Sequence, residues 1–154
     1  MAKEDKNWSG VAHVRIRLDI LHSPAWRTLS FTARALFMDM RSGLRSTNNG
    51  DINAALGTLS HKGWTSRTTI LKAAGELTAL GFIAKTRQGM GGPTNGSCSL
   101  FRFTDVPAFE QPKLGVSASK ATFDYLAFKT TAEAEQALRD WAQTEAKSKA
   151  AKTK

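Results

Sequence analysis

Cysteine is nearly absent, with Cys98 as its only occurrence. A single thiol can close no intramolecular disulfide and build no cysteine zinc site. Histidine is sparse as well: His13, His22 and His61 have no second His or carboxylate at metal-ligand spacing. Acids are few where the chain looks folded, since residues 11–105 hold only Asp19, Asp39, Asp51, Glu76 and Asp105. Asp51 reads as a helix cap, and Asp19 and Asp39 read as surface charges. No paired-acid signature or nucleophile elbow appears. No apolar run approaches the ~18 residues needed to span a membrane. The polar first ten residues lack the apolar core of a signal peptide. These absences predict a soluble, cytoplasmic protein that is not an enzyme, holds no metal or cofactor, and has no membrane partner.

Positive charge is present in excess. The 154 residues carry a formal net charge of +9, and the sequence pI is near 10.1. Such a surface favours polyanions, nucleic acid first. The excess is concentrated in residues 11–105, where 12 Lys/Arg face five Asp/Glu. Residues 106–154 hold eight against six. The composition, 41% hydrophobic and 23% charged, is that of a globular chain with room for one core.

Residues 1–10 read as a flexible arm and 11–105 as the folded domain. Residues 106–130 read as a linker or docking segment, and 131–154 as a C-terminal helix with a basic tail. Within the domain, residues 12–20 alternate: Val14, Ile16, Leu18 and Ile20 against His13, Arg15, Arg17 and Asp19. A period of two predicts a strand. Ser23 and Pro24 then start one helical turn. Ser30 caps a helix over about 32–42, with Ala33, Leu36, Phe37 and Met40 facing inward. Asp51 caps a second helix over 52–61, which Gly57 weakens. Ser66 caps a third, with Ile70, Ala73, Ala74, Leu77 and Leu80 on its apolar face and Gly81 as its stop. Residues 82–87 and 99–103 read as strands around the glycine-rich loop 89–96. Trp26, Phe31, Phe37, Trp64, Phe82, Phe101 and Phe103 fall at core or junction positions. Beyond the linker, Ala134, Leu138, Trp141 and Ala142 share one face of a helix over about 132–146.

The order is strand, helix, helix, turn, helix, hairpin. The stretch Trp64-Thr65-Ser66-Arg67-Thr68-Thr69-Ile70, with Glu76-Leu77 and Leu80-Gly81-Phe82-Ile83, resembles winged helix-turn-helix proteins. Bacterial and phage transcriptional regulators and plasmid replication initiators show it across recognition helix and wing. The stretch 23–40, with Leu29-Ser30 before Ala33-Arg34, is similar to the same proteins. The resemblance covers about residues 12–105. It implies an α+β fold: a three-helix core with a β-hairpin wing, here with an extra N-terminal strand and a C-terminal helix. It also implies binding of double-stranded DNA in the bacterial cytosol or nucleoid.

A helix fits the major groove, and its N-terminal residues reach base edges. Arg67, Thr68, Leu71 and Lys72 lie off the buried face of the third helix. Arg67 suits guanine, Thr68 a base or phosphate, and Leu71 a thymine methyl. Ser66 and the free N–H groups beside it suit a phosphate, and Lys62 in the preceding turn suits the backbone. Lys85 and Arg87 in the wing are further candidate backbone contacts. The plain alternatives stand beside these: solvated charges at Arg67 and Lys72, packing of Leu71 on Trp64 or the wing, and a merely mobile loop. Thr69 is expected to tuck back into the helix-turn-helix contact. Leu138 and Trp141 form a stripe that either folds back on the domain or joins a homodimer. Three roles fit: a transcriptional regulator occupying its operator, a replication or partition protein of a mobile element, and a protein-interaction adaptor on the same scaffold.

Overall fold

A computed structural model describes residues 10–90 and 97–153. The expected arm over 1–10 therefore lies almost wholly outside the described residues, as do wing positions 91–96 and Lys154. The chain is mixed α+β, with six α-helices and one three-stranded antiparallel sheet among the described residues. In order these are α1 (Leu18–Leu21), α2 (Pro24–Thr28), α3 (Phe31–Arg41), β1 (Ile52–Asn53), α4 (Leu56–Leu59), α5 (Arg67–Ala79), β2 (Ile83–Arg87), β3 (Leu100–Phe103) and α6 (Thr131–Lys152).

The helix starts follow local hydrogen-bond chemistry. Ser23 Oγ accepts from Trp26 N–H, Ser30 Oγ from Ala33 N–H, and Ser66 Oγ from Thr69 N–H. Each satisfies a donor that the first turn leaves orphaned, worth about 1 kcal/mol. Gly81 ends α5 at φ +79°. A side chain there would stand 2.7 Å from the Asp124 backbone, so the site requires glycine for space as well as for conformation.

The expected strand over 12–20 does not form. Residues 12–17 belong to no helix or strand, and Leu18–Leu21 is helical. No described strand pairs with this segment. Its backbone bonds locally instead: Arg17 C=O accepts from Ile20 N–H, and Leu18 C=O from His22 N–H. Alternation alone gives no ladder, and Leu18 remains 67% exposed on a side with nothing to bury against.

The expected helix over 52–61 is also much shorter. Ile52 and Asn53 pair with Phe101 and Leu100 as β1. Asn53 Oδ1 accepts from Ala55 N–H, a local turn bond that delays the helix to Leu56. Asp51 is no cap; its N–H goes to Asn48 C=O. After four residues α4 gives way to a 3-10 turn, Ser60–Lys62, ended by Gly63 at φ +96°.

The sheet order is β1-β3-β2. Its inner face meets α2 and α3 through rings: Phe37 stands edge-on to Trp26, Phe82 and Phe103 at 5.3–6.0 Å. Two polar groups close the sheet end. Asn49, fully buried, accepts from Phe103 N–H at 2.7 Å and donates to the carbonyls of Phe103, Val106 and Pro107. Arg41 and Asp105 form a buried two-point ion pair at 2.7 Å, with the guanidinium 4.7 Å above the Phe103 ring.

The segment 106–130 docks through Tyr125, which is fully buried and stacked on Phe82 at 5.3 Å. Its hydroxyl donates to Asp19 Oδ1 at 3.0 Å. Burial, then the Asp19 contact, pushes the phenol pKa well up. The Arg17 guanidinium beside Asp19 holds that carboxyl below its usual range. Asp19, expected as a free surface charge, is thus a bridge. α6 then folds back on the domain: Ala134 is buried, and Ala137 and Leu138 pack on the core.

Candidate nucleic-acid interface

At 100° per residue, one side of α5 carries Ile70, Ala73, Ala74 and Leu77, all buried. Arg67, Thr68, Leu71 and Lys72 are all exposed, with Leu71 at 59%; Thr68, Leu71 and Lys72 lie off that side, while Arg67, on the first turn, is in line with Ala74. The packing of Leu71 on Trp64 or the wing that its type allows does not occur to any depth. Arg67 and Lys72 form no ion pair among the described residues. Thr69, expected to tuck inward, is exposed, and only its N–H is engaged by the Ser66 cap. Ser66 itself is half-buried.

Three contacts fix how α5 stands on α3. Glu76, 8% exposed, accepts from Ser30 N–H at 3.0 Å and from Ser30 Oγ–H at 3.1 Å. Trp64 Nε1–H donates to Asp39 Oδ2 at 2.7 Å, so Asp39 is a partner of the turn and not a bare surface charge. Lys62 Nζ donates to Ser42 Oγ at 3.0 Å and stays exposed. The turn before α5 is therefore tied twice to α3, and the helix once more at its middle. The exposed residues of α5 are thus carried by a helix bonded to α3 at its middle and through the turn before it. Beside the turn lies a shallow depression of about 470 Å³, lined by Phe31, Thr32, Ala35, Asp39, Lys62, Gly63 and Trp64. Phe31, expected at a core or junction position, is 82% exposed on its rim.

The hairpin β2–β3 follows α5 directly. Its arms stay paired beyond the strands, with Gly89 N–H donating to Ser99 Oγ and Ser97 N–H to Met90 C=O. Lys85 is exposed, with Nζ on Gln88 Oε1 at 2.9 Å. Arg87 is half-buried, and its Nη2 donates across the hairpin to Cys98 C=O at 3.2 Å. Of the two wing residues expected to meet phosphates, Lys85 is the freer cation. A bulge between Lys85 and Arg87 bends this edge.

Leu138 and Trp141 fold back on the domain, and both stay half-buried. The six-membered ring of the Trp141 indole fills the space a side chain at Gly75 would occupy, with Cε2 2.8 Å from that position. Gly75 sits on the exposed side of α5, one turn past Leu71. A glycine in a helix interior costs about 1 kcal/mol and calls for such a reason, which was the one signal for this contact in the sequence. Glu76 gave no local signal, because its partner lies 46 residues away.

Among the described residues no group of three His, Cys, Asp or Glu stands together to hold a metal ion. No described helix is long and apolar enough to cross a membrane. Comparison with family models, curated proteins and solved structures finds no match to this chain.

Proposed function

We propose that this chain is a sequence-specific double-stranded DNA-binding protein, a regulator that acts by occupying its site, built on a winged helix-turn-helix scaffold. The order α3, β1, α4, α5, β2, β3 and the sheet order β1-β3-β2 support the scaffold. α5 is the recognition helix and β2–β3 the wing. The observation that carries the reading is the exposed N-terminal half of α5: two cations with no ion pair among the described residues, a hydroxyl and an exposed leucine. In the major groove, Arg67 donates to guanine O6 and N7, Thr68 bonds a base or phosphate, and Leu71 packs on a thymine methyl. Lys62, Lys72 and Lys85 neutralise phosphates, and the N–H groups at the start of α5 add a further anion contact.

The test is fluorescence anisotropy of a labelled random-sequence duplex at several salt concentrations, with the full chain and an Arg67→Ala/Lys72→Ala variant. Each phosphate contact adds about 0.9 to the log–log salt slope. Micromolar binding with a slope of several units is expected, weakened in the variant. Retained binding in the variant moves the surface off α5, and absence of binding at low salt removes the DNA reading altogether. Selection from a random duplex pool then tests sequence specificity.

A further inference from the structure

The outward side of α5 is open over its first half and covered beyond it. At 100° per residue, Thr68, Leu71, Lys72 and Gly75 share the side opposite Ile70, Ala73 and Leu77. The first three are exposed, and Gly75 is half-buried. The cover is α6: the Trp141 ring occupies the place of a side chain at Gly75, with Cζ2, Cε2 and Cη2 as its nearest atoms. Trp141 stands midway along α6, Thr131–Lys152, so about 15 Å of helix extends to either side of it. Whichever way α6 points, a helix lies against the outward side of α5 at this position.

A duplex seated on Thr68, Leu71 and Lys72 takes the same space. The major groove is about 12 Å wide and 8.5 Å deep. A helix with its side chains is about 10–12 Å across, so a single helix fills it. Along the α5 axis, Gly75 lies only about 4.5 Å beyond Lys72 and about 6 Å beyond Leu71. α6 therefore stands where a wall of the groove has to pass. Its dock is slight: Ala134 is buried, and Ala137, Leu138 and Trp141 are half-buried. Among the described residues, the side-chain hydrogen bonds of α6 stay within the helix and its N-terminal cap, and no ion pair joins it to the body.

We infer that α6 competes with double-stranded DNA for the outward side of α5. Docked through Trp141 on Gly75, it restrains groove entry, and its release lets α5 seat along more of its length. This rests on the DNA reading of α5. The apparent Kd is then the intrinsic value divided by the released fraction of the chain. With about one chain in ten released, loosening the dock tightens binding about tenfold.

The test has two arms. Random-duplex anisotropy at low salt compares the full chain with Trp141→Ala, Leu138→Ala and Arg67→Ala/Lys72→Ala. The two dock variants change no charge and no residue of the α5 contact surface. Trp141→Ala is expected to bind about tenfold tighter. Leu138→Ala, which leaves the indole in place and weakens the neighbouring turn of the dock, should also bind tighter. In the second arm, amide exchange of the unmodified chain is followed with and without duplex. Residues 134–141 should lose protection on binding while α5 keeps it, a readout that does not depend on how well a variant folds. Protection kept or raised there by the duplex overturns the inference. So does equal affinity in both dock variants with binding still weakened by Arg67→Ala/Lys72→Ala, which leaves the DNA reading standing. Weaker binding in the dock variants makes α6 part of the interface and overturns it likewise. If none of the chains binds a duplex, the DNA reading falls and the inference with it.

Discussion

Glu76 of α5 accepts two hydrogen bonds from Ser30, the residue that caps α3. One carboxylate thereby satisfies the backbone N–H and the hydroxyl of a single residue 46 positions away, while the Ser30 oxygen accepts from Ala33 N–H. The contact ties the C-terminal half of α5 to the start of α3, beside the apolar packing between the two helices.

Glu76→Ala should lower stability by about 2 kcal/mol, since it removes charge-assisted bonds and leaves the Ser30 donors half-buried without a partner. Urea unfolding should show a lower midpoint at an unchanged m-value. Glu76→Gln keeps one acceptor and should lose less. A change below about 0.5 kcal/mol in Glu76→Ala would make the contact incidental.

The Arg41–Asp105 pair joins the end of α3 to the end of β3 with both side chains buried. Asp105→Ala leaves a guanidinium without its partner in the interior and should cost about 3–5 kcal/mol. The double variant Arg41→Met/Asp105→Leu removes both charges and should recover most of the loss. Equal destabilisation in single and double variants would show that the bonds of Arg41 to the Arg15 carbonyl, and its stacking on Phe103, matter more than charge balance.

Gly75→Ala sets two effects against each other. Alanine favours the helix by about 1 kcal/mol over glycine. Its methyl, however, takes the space of the Trp141 ring. The ring is the far end of a side chain and can swing out, so global stability should change little while α6 loosens. Amide exchange is the discriminating measurement: protection in residues 134–141 should fall while that of α5 is kept. Undiminished protection there would mean that α6 docks without the ring.

Tyr125 is the only tyrosine in the chain, so its titration can be followed by phenolate absorbance alone. Its folded pKa is raised above the unfolded value of about 10. The neutral phenol is favoured by folding, so this stabilisation is full below pH ~10 and is lost as pH rises toward the folded value. The phenolate signal should therefore appear together with loss of near-ultraviolet circular dichroism. Phenolate formation near pH 10 in a protein that keeps its native signal would contradict the burial of this ring. Asp19 acts with the opposite sign: its lowered pKa gives a contribution present above pH ~4 and lost on acidification. That contribution is small, because the Arg17–Asp19 pair is largely exposed to solvent.

Much of the fold was legible where the governing interactions are local. Ser23, Ser30 and Ser66 cap the helices expected of them, because a hydroxyl reaches an N–H three residues on whatever the rest of the chain does. The apolar stripes of α3 and α5 bury the residues their spacing predicts. Gly81 ends α5 because a left-handed residue there must carry no side chain. The errors fell where a segment needed a distant partner. Residues 12–20 had the period of a strand and no sheet edge to join. Ile52 and Asn53 joined β3 and not a helix, since the open edge of Leu100 and Phe101 was available to them.

The same division separates what each level determined about the candidate site. From the sequence alone came the charge, the lack of any intramolecular disulfide, the helix carrying Arg67 and Lys72, and the apolar steps of α6. These depend on composition and on periods of three and four, which neighbouring residues impose on one another. Only the tertiary structure decided that Leu71 stays exposed, that Arg87 is tied into its hairpin, that Glu76 holds Ser30 and that Trp141 lies over Gly75. Those outcomes rest on contacts between residues tens of positions apart, where packing space and unsatisfied hydrogen-bond groups choose the partner and no local pattern names it.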